Sequence, residues 1–263
     1  MGSSARLRQA GRNAAAALLL LLWLPAELTT ARAPSPQPAT RLQARVVYVL
    51  DGDTLILADR RHVRLIGINA PELGKDGAPD QPLSRAARAA LEQLVGGKTV
   101  ELTLGHETHD RYGRLLAHVD LVDGRSVQEL LLSSGLAVRI AIPPNLERQR
   151  AYTAAEEVAR ANKRGVWGLA YYKPVPADEL RAGDGGFRFV VGRIADVWRS
   201  KKYVHLVLTP HLHVLVPLQD LHYFDRKPES LMGRRVIARG WITHYGGSLQ
   251  LRVRHPSMLS LLQ

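Results

Sequence analysis

Cysteine is absent from all 263 residues, which excludes disulfides and thiolate metal sites. Long hydrophobic runs are missing too. The unbroken apolar stretch from Ala14 to Leu24 would span roughly 16 Å as a helix against a hydrocarbon core of ~30 Å, so a stable transmembrane helix is disfavoured. Acidic side chains are in deficit, 24 against 36 Lys+Arg, and the net charge of +12 implies an anionic partner without separating nucleic acid from membrane surface. With 46% apolar and 23% charged residues, the composition is that of a folded chain, neither disordered nor collagen-like, and its length fits one or two domains.

Arg6, Arg8 and Arg12 precede the apolar run, and Pro25 and the small residues near Ala31 to Ala33 follow it. That is the layout of a secretory signal peptide over residues 1–33. Both Thr29-Thr30-Ala31 and Ala31-Arg32-Ala33 suit a cleavage site, with Pro34 standing against the second; an uncleaved anchor is the alternative. The expectation is an exported protein, periplasmic or extracellular, touching a membrane only through this segment if it is retained. Residues 34–43 have the proline density of an extended linker.

Two modules follow. Three short strands are expected at Arg45–Leu50, Thr54–Ala58 and His62–Ile68, then a helix over Ser84–Val95, where Ala87, Leu91, Leu94 and Val95 form one stripe ended by Gly96-Gly97. Strands at Val100–Leu104 and Leu115–Leu121 and helices at Val127–Ser134 and Glu147–Lys163 complete this module, residues 44–170. Three strands, a helix, two strands and two helices suggest a small Greek-key barrel packed against helices. Residues 171–186, with Pro174, Pro176, Gly183, Gly185 and Gly186, read as a linker. Beyond it, Phe187–Val197, Tyr203–Leu208, His213–Pro217, Arg234–Thr243 and Ser248–Val253 are spaced as five strands of a second, OB-like barrel over 187–263. The predicted fold class is mainly β with α.

Charge separates the modules. Residues 44–184 hold 19 basic and 19 acidic side chains, whereas residues 185–263 hold 12 against 4, a net of +8. Trp198, Tyr203, Trp241 and Tyr245 lie near Arg199, Lys201, Lys202 and Arg239 in sequence, a mixture that suits a groove where rings stack on bases and cations track phosphates. Some of those rings must instead be core. His211 and His213 alternate on one strand face, but with no third ligand nearby they read as ordinary strand histidines.

Three turns of the first module carry groups that could do chemistry: Asp51-Gly52-Asp53-Thr54, Arg64 through Asn69-Ala70-Pro71-Glu72, and Asp110-Arg111-Tyr112-Gly113-Arg114. Converging at one barrel mouth, they would offer carboxylates, an amide oxygen and two guanidinia, the inventory of phosphodiester hydrolysis. On spacing alone, surface ion pairs would account for them equally well. Taken in order with Gly135-Leu136-Ala137 and Gly165-Val166-Trp167, however, the set resembles the staphylococcal nuclease family over roughly residues 44–168. The resemblance implies a Ca²⁺-dependent nuclease of DNA and RNA, built on an OB-fold barrel with three helices. It implies Asp53, Asn69 and the Ala70 carbonyl as metal ligands, Glu72 as general base, Arg64 and Arg114 as phosphate clamps, and Tyr112 with Arg111 as nucleotide contacts. The sequence leads to no inference of a stable protein partner.

Three departures mark the chain. Asn69 stands where the type member has aspartate, which implies weaker calcium binding, since affinity follows the charge of the ligands. Ala70 replaces a threonine used through its carbonyl. After Gly135-Leu136-Ala137, a stacking aromatic gives way to Ala141 or its neighbours. The alternative expectation is therefore a catalytically weakened nucleic-acid-binding protein of the cell envelope.

Overall fold

In a computed structural model, which describes residues 40–74 and 77–262, the first region runs β1 (Arg41–Val49), β2 (Thr54–Leu57), β3 (His62–Leu65), β4 (Ile68–Asn69), α1 (Ser84–Val95), β5 (Thr99–His109), β6 (Leu115–Leu121), α2 (Val127–Ser133), β7 (Val138–Arg139) and α3 (Gln149–Ala161). The strands close a barrel in the order β1-β2-β3-β6-β5, in which only β3 and β6 run parallel. Closure depends on β1, which pairs with β5 through Arg41–Arg45 and then with β2 through Val46–Val49, the register shifting between Val46 and Tyr48. Valine and leucine at alternate positions, such as Leu55, Leu57, Val63 and Leu65, fill the barrel, and α1 covers one end with Ala87, Leu91 and Val95. The proposed signal segment and residues 34–39 lie outside the described residues, whereas residues 41–43, expected in the linker, already belong to β1.

The element order follows the sequence reading with three differences: the expected His62–Ile68 strand breaks at Ile66-Gly67 into β3 and β4, because Gly67 turns the chain; β7, absent from the reading, pairs with β4; and one strand runs long. β5 continues past the expected end at Leu104 to His109, where Gly-His-Glu-Thr shows no apolar alternation. A side chain supplies the missing signal. Asn145 accepts the Glu107 N–H (2.9 Å) and donates to the Glu107 carbonyl (2.8 Å), acting as a partner strand would.

The second region contains β8 (Val175–Pro176), β9 (Gly186–Arg193), β10 (Asp196–Arg199), β11 (Tyr203–Thr209), β12 (Leu212–Pro217), β13 (Arg235–Tyr245), β14 (Ser248–Arg252) and β15 (Leu259–Leu262). The sheet has eight strands where five were expected. The Phe187–Val197 strand breaks at Ile194-Ala195, because the chain changes partners there: Ile194 bonds to the Gly233-Arg234 turn before β13, while the Ala195 N–H donates to Val207 of β11. Two short edge strands, β8 beside β9 and β15 beside β13, supply the rest. Joining β9 to β10 as one bent strand gives the path β9/β10-β11-β12-β14-β13-β9, with β12 and β14 parallel. That is the strand order of the first barrel repeated, partner switch included.

Residues 171–186 do more than connect. β8 lies there, and the Tyr172 hydroxyl donates to the Pro82 carbonyl (2.6 Å). The core of the second sheet also takes in Val138, Ile140, Ala141 and Val166 from the first region. One buried charge pair crosses between the regions. Arg239 of β13 donates to both carboxylate oxygens of Glu156 on α3 (2.9 and 2.8 Å) and to the Arg139 carbonyl (3.1 Å). Arg139 in turn reaches the Ser257 hydroxyl (2.8 Å), and the Ala141 N–H meets the Met258 sulfur (3.2 Å). The described residues cluster as one compact unit. Among the described residues no helix is long and apolar enough to cross a membrane.

Candidate active site

The three turns singled out in the sequence meet at one place. Register pairs Thr54 of β2 with Arg64 of β3, so the residue just before β2, Asp53, lies within reach of the Arg64 guanidinium (3.0 Å). Asp53 also accepts the Ala70 N–H (2.8 Å) and the Thr54 hydroxyl (3.2 Å), while its own N–H donates to Asp51 (3.0 Å). Gly52 is required by this packing. A Cβ there would lie 2.6 Å from Cβ of Ala70 and 2.7 Å from Cβ of Ala87, so the turn could not seat against β4 and α1.

Arg114 enters from β6's leading turn. Asp110 holds it through Nε (2.8 Å) and Nη2 (2.7 Å), and accepts the main-chain N–H groups of Tyr112 and Arg114 (2.9 and 3.0 Å). Thus fixed, Arg114 reaches the Thr54 hydroxyl at 3.5 Å, one step from Asp53. Tyr112 is 67% exposed at the rim, with the guanidinium groups of Arg111 and Arg114 at 4.8 and 5.5 Å from its ring centre. Arg111 also donates to the Tyr112 hydroxyl (2.6 Å).

Asn69 and Ala70 are buried at the end of β4. Gly67, at φ 81°, makes the turn that delivers them; a Cβ there would strike the Tyr152 ring at 2.6 Å. The Asn69 amide nitrogen donates to the Ala70 carbonyl (3.3 Å), leaving its buried oxygen with no hydrogen-bond partner among the described residues. Glu72 is half-buried, its backbone clamped by Gln81, whose side chain accepts the Glu72 N–H (2.9 Å) and whose N–H donates to the Glu72 carbonyl (2.9 Å). Its charge acts on Asp53.

The electrostatics are those of crowded anions. Burial pushes the Asp53 carboxyl up to about 7; Arg64 and the Ala70 N–H pull it down, while the charges of Asp51 and Glu72 raise it. Burial also acts upward on Asp110, but hydrogen bonds from Arg114 and Tyr112 outweigh it and hold that carboxyl below the ordinary value. Oxygen donors suit a hard cation, and those present are the Asp53 carboxylate, the unpartnered Asn69 oxygen and the Ala70 carbonyl. A cation would relieve both the carboxylate crowding and the orphaned amide oxygen. Among the described residues no three His, Asp or Glu side chains gather as a metal cluster, so the fit rests on this mixed set.

Asp53, Arg64, Asn69, Ala70 and Arg114 are therefore linked by hydrogen bonds through Asp53 and Thr54, with Tyr112 and Arg111 beside Arg114. Thr54 and Asp110 are further members whose roles sequence reading missed. The carboxylate that opens the Asp-Arg-Tyr-Gly-Arg turn, four positions before Arg114, was the available signal for Asp110; Thr54 had none beyond adjacency. Ala141 is buried against Met258, so no ring occupies the position expected to stack on substrate.

A family model described as "Staphylococcal nuclease homologue" matches residues 62–168. An "Uncharacterized endonuclease" of Escherichia coli O157:H7 is 35% identical over 138 residues, 51% of this chain and 82% of that protein. The chain belongs to the staphylococcal nuclease family. A "Thermonuclease" of Staphylococcus hyicus is 32% identical over 127 residues, covering 47% of this chain and 74% of the relative, and "Endonuclease YncB" of Bacillus subtilis is 32% identical over 145 residues, 51% and 68%. Within this staphylococcal nuclease frame the family model takes in β3 to α3, with β1 and β2 of the barrel before it, and the second sheet lies beyond residue 168.

Proposed function

We propose that the protein is an exported, Ca²⁺-dependent endonuclease that hydrolyses phosphodiester bonds of DNA and RNA. The observation carrying this reading is that Asp53, Arg64 and Arg114, from three separate stretches of the chain, are tied into one hydrogen-bonded cluster beside Glu72 and an unpartnered amide oxygen. Asp53, Asn69 and the Ala70 carbonyl would hold the ion. Bound there, calcium supplies a Lewis acid for a phosphoryl oxygen. Arg64 and Arg114 neutralise the charge that grows on the equatorial oxygens, and their own anchors, Asp53 and Asp110, keep both guanidinia oriented before substrate arrives. Glu72 takes the proton of the attacking water. Tyr112 and Arg111 contact the nucleotide from the exposed rim. Export is supported by the arginine-flanked apolar run at residues 6–24.

The test is cleavage of single-stranded DNA and RNA with Ca²⁺ or with chelator. Metal-dependent cleavage is expected, with Glu72→Gln and Arg114→Ala each lowering the rate about 100-fold or more, the typical effect of removing one transition-state contact. Metal-independent cleavage, or either variant near the wild-type rate, would reject the roles. The neutral Asn69 favours one alternative, a weakened enzyme that mainly binds polynucleotide. Asn69→Asp decides between the two: a large gain in Ca²⁺ affinity and rate points to a weakened enzyme, and full activity without it to a competent one.

A further inference from the structure

The outer face of the second sheet carries an aromatic stack that the cleavage site does not use. Alternation along β11 sends Val204, Leu206 and Leu208 into the core and puts Tyr203, His205 and Val207 on the opposite face. Cross-strand register then lines up Trp198, His205, Leu215 and Arg252 across β10, β11, β12 and β14. Trp198 lies flat on His205, ring centres 3.6 Å apart and planes 11° from parallel. His213 meets both rings edge-on at 6.1 and 5.6 Å, Tyr203 meets His205 edge-on at 6.3 Å, and the Arg252 guanidinium sits 5.4 Å from the Tyr203 ring centre. One side of the indole covers His205, yet Trp198 is 42% exposed, so a flat π-surface is presented to solvent.

Three exposed cations frame the stack: Lys201 and Lys202 in the turn between β10 and β11, and Arg252 on β14. The structure also removes members of the set expected from sequence. Arg239 is buried against Glu156, Arg199 is paired with Glu229, and Trp241 packs on Phe187 (5.2 Å). What remains is a compact surface in a region of net charge +8. In barrels with this strand order, the face of the second and third strands is the usual ligand surface, and β11 and β12 hold those places.

We propose that this face is a second, non-catalytic site for single-stranded polynucleotide. An unpaired base stacks on Trp198, extending the Trp198–His205 stack by one ring, while Lys201, Lys202 and Arg252 take the flanking phosphates. Paired bases keep their faces hidden, which restricts the site to single strands. A membrane anchor would need a ring free to enter lipid, whereas this indole is held against His205 with ring centres 3.6 Å apart. The polymer class rests on the nuclease reading above; the stacking geometry does not.

The test uses the full chain carrying Glu72→Gln, in chelator, so that the probe survives. Binding of fluorescein-labelled (dT)12 is read by anisotropy, with circular dichroism and the thermal midpoint as fold controls. Trp198→Ala is expected to lower affinity about 10- to 100-fold and Trp198→Phe to keep most of it, as base stacking on a ring requires. The double variant Lys201→Glu/Lys202→Glu should weaken binding and reduce the slope of log affinity against log salt by about 0.7 per lost phosphate contact. Unchanged affinity in Trp198→Ala overturns the proposal, as does duplex DNA competing as well as (dT)12. So does loss of binding to phosphatidylglycerol vesicles in the lysine variant with (dT)12 binding intact. Cleavage by the unsubstituted protein with Ca²⁺ is read separately: its absence would end the nuclease reading while leaving a Trp198-dependent (dT)12 site in place.

Discussion

At Asp53 the proposed metal-binding role would come at the expense of the fold. Its carboxyl is buried and crowded by Asp51 and Glu72, and its pKa rises from 3.8 to about 7. The unfolded chain therefore loses this proton near pH 4, while the folded chain holds it to about pH 7. Between those values the folded state binds more protons, so this group's contribution to stability falls as pH rises and is at its most unfavourable above pH 7. Replacing the carboxylate with an amide removes that term. In chelator at pH 8, Asp53→Asn should be more stable than the unsubstituted protein by on the order of 2 kcal/mol, the gain vanishing by pH 4. Chemical denaturation at both pH values measures this. Equal stabilities at pH 8 would mean that Arg64 and the Ala70 N–H fully compensate the burial. The same variant should lose metal-dependent cleavage, which sets function against stability at a single atom pair. Asp53 could be picked from the sequence because its turn and the two arginines stand in a recognisable order. Thr54 could not, because its importance lies in what it touches, an arginine 60 positions away, a relation that no local pattern records.

At the scale of elements, the site depends on how closely the Asp51–Asp53 turn approaches β4 and α1. Two methyl groups, those of Ala70 and Ala87, leave room for hydrogen only at Gly52. Gly52→Ala is expected to cost about 1–3 kcal/mol by overpacking. Because the displaced turn carries Asp53, Ca²⁺ affinity should fall with it. Adding Ala70→Gly should return part of the stability, since the two positions are in contact and their effects couple. Strict additivity in a double-mutant cycle would show that the strain is absorbed elsewhere. This packing also gives Ala70 a structural reason: a larger side chain on that side would press on the same turn. The elements were legible where periodicity was strong, as in α1, with its stripe of Ala87, Leu91 and Val95. They were less so where the chain changes partners. Phe187 to Val197 reads as one strand because its apolar residues continue across the break, and Ile194 is fully buried at the very point where pairing passes from β13 to β11.

For the whole molecule, the sequence suggests two modules with separate tasks, and their strand orders do repeat. The cores do not separate with them. Val138, Ile140 and Val166, from the family-matched part, lie in the apolar cluster of the second sheet, and Arg239 is buried on Glu156. Sequence reading put Arg239 among the cations facing phosphate because its partner stands 83 positions earlier, on a helix of the other region. A buried charge pair adds little net stability when intact, but removing one member strands the other charge, at about 3–5 kcal/mol. Arg239→Ala should therefore lower the stability of the whole unit by that amount, whereas the joint replacement Arg239→Met/Glu156→Leu should cost much less, because no ion is left unpaired. Ending the chain after residue 170 goes further, since it strands Glu156 and uncovers Val138, Ile140 and Val166 together. That fragment should unfold at a markedly lower temperature than the full chain and bind a dye specific for exposed apolar surface. A fragment as stable as the full chain would mean that the second sheet is an appendage, and that its only contribution to cleavage is the strand it holds.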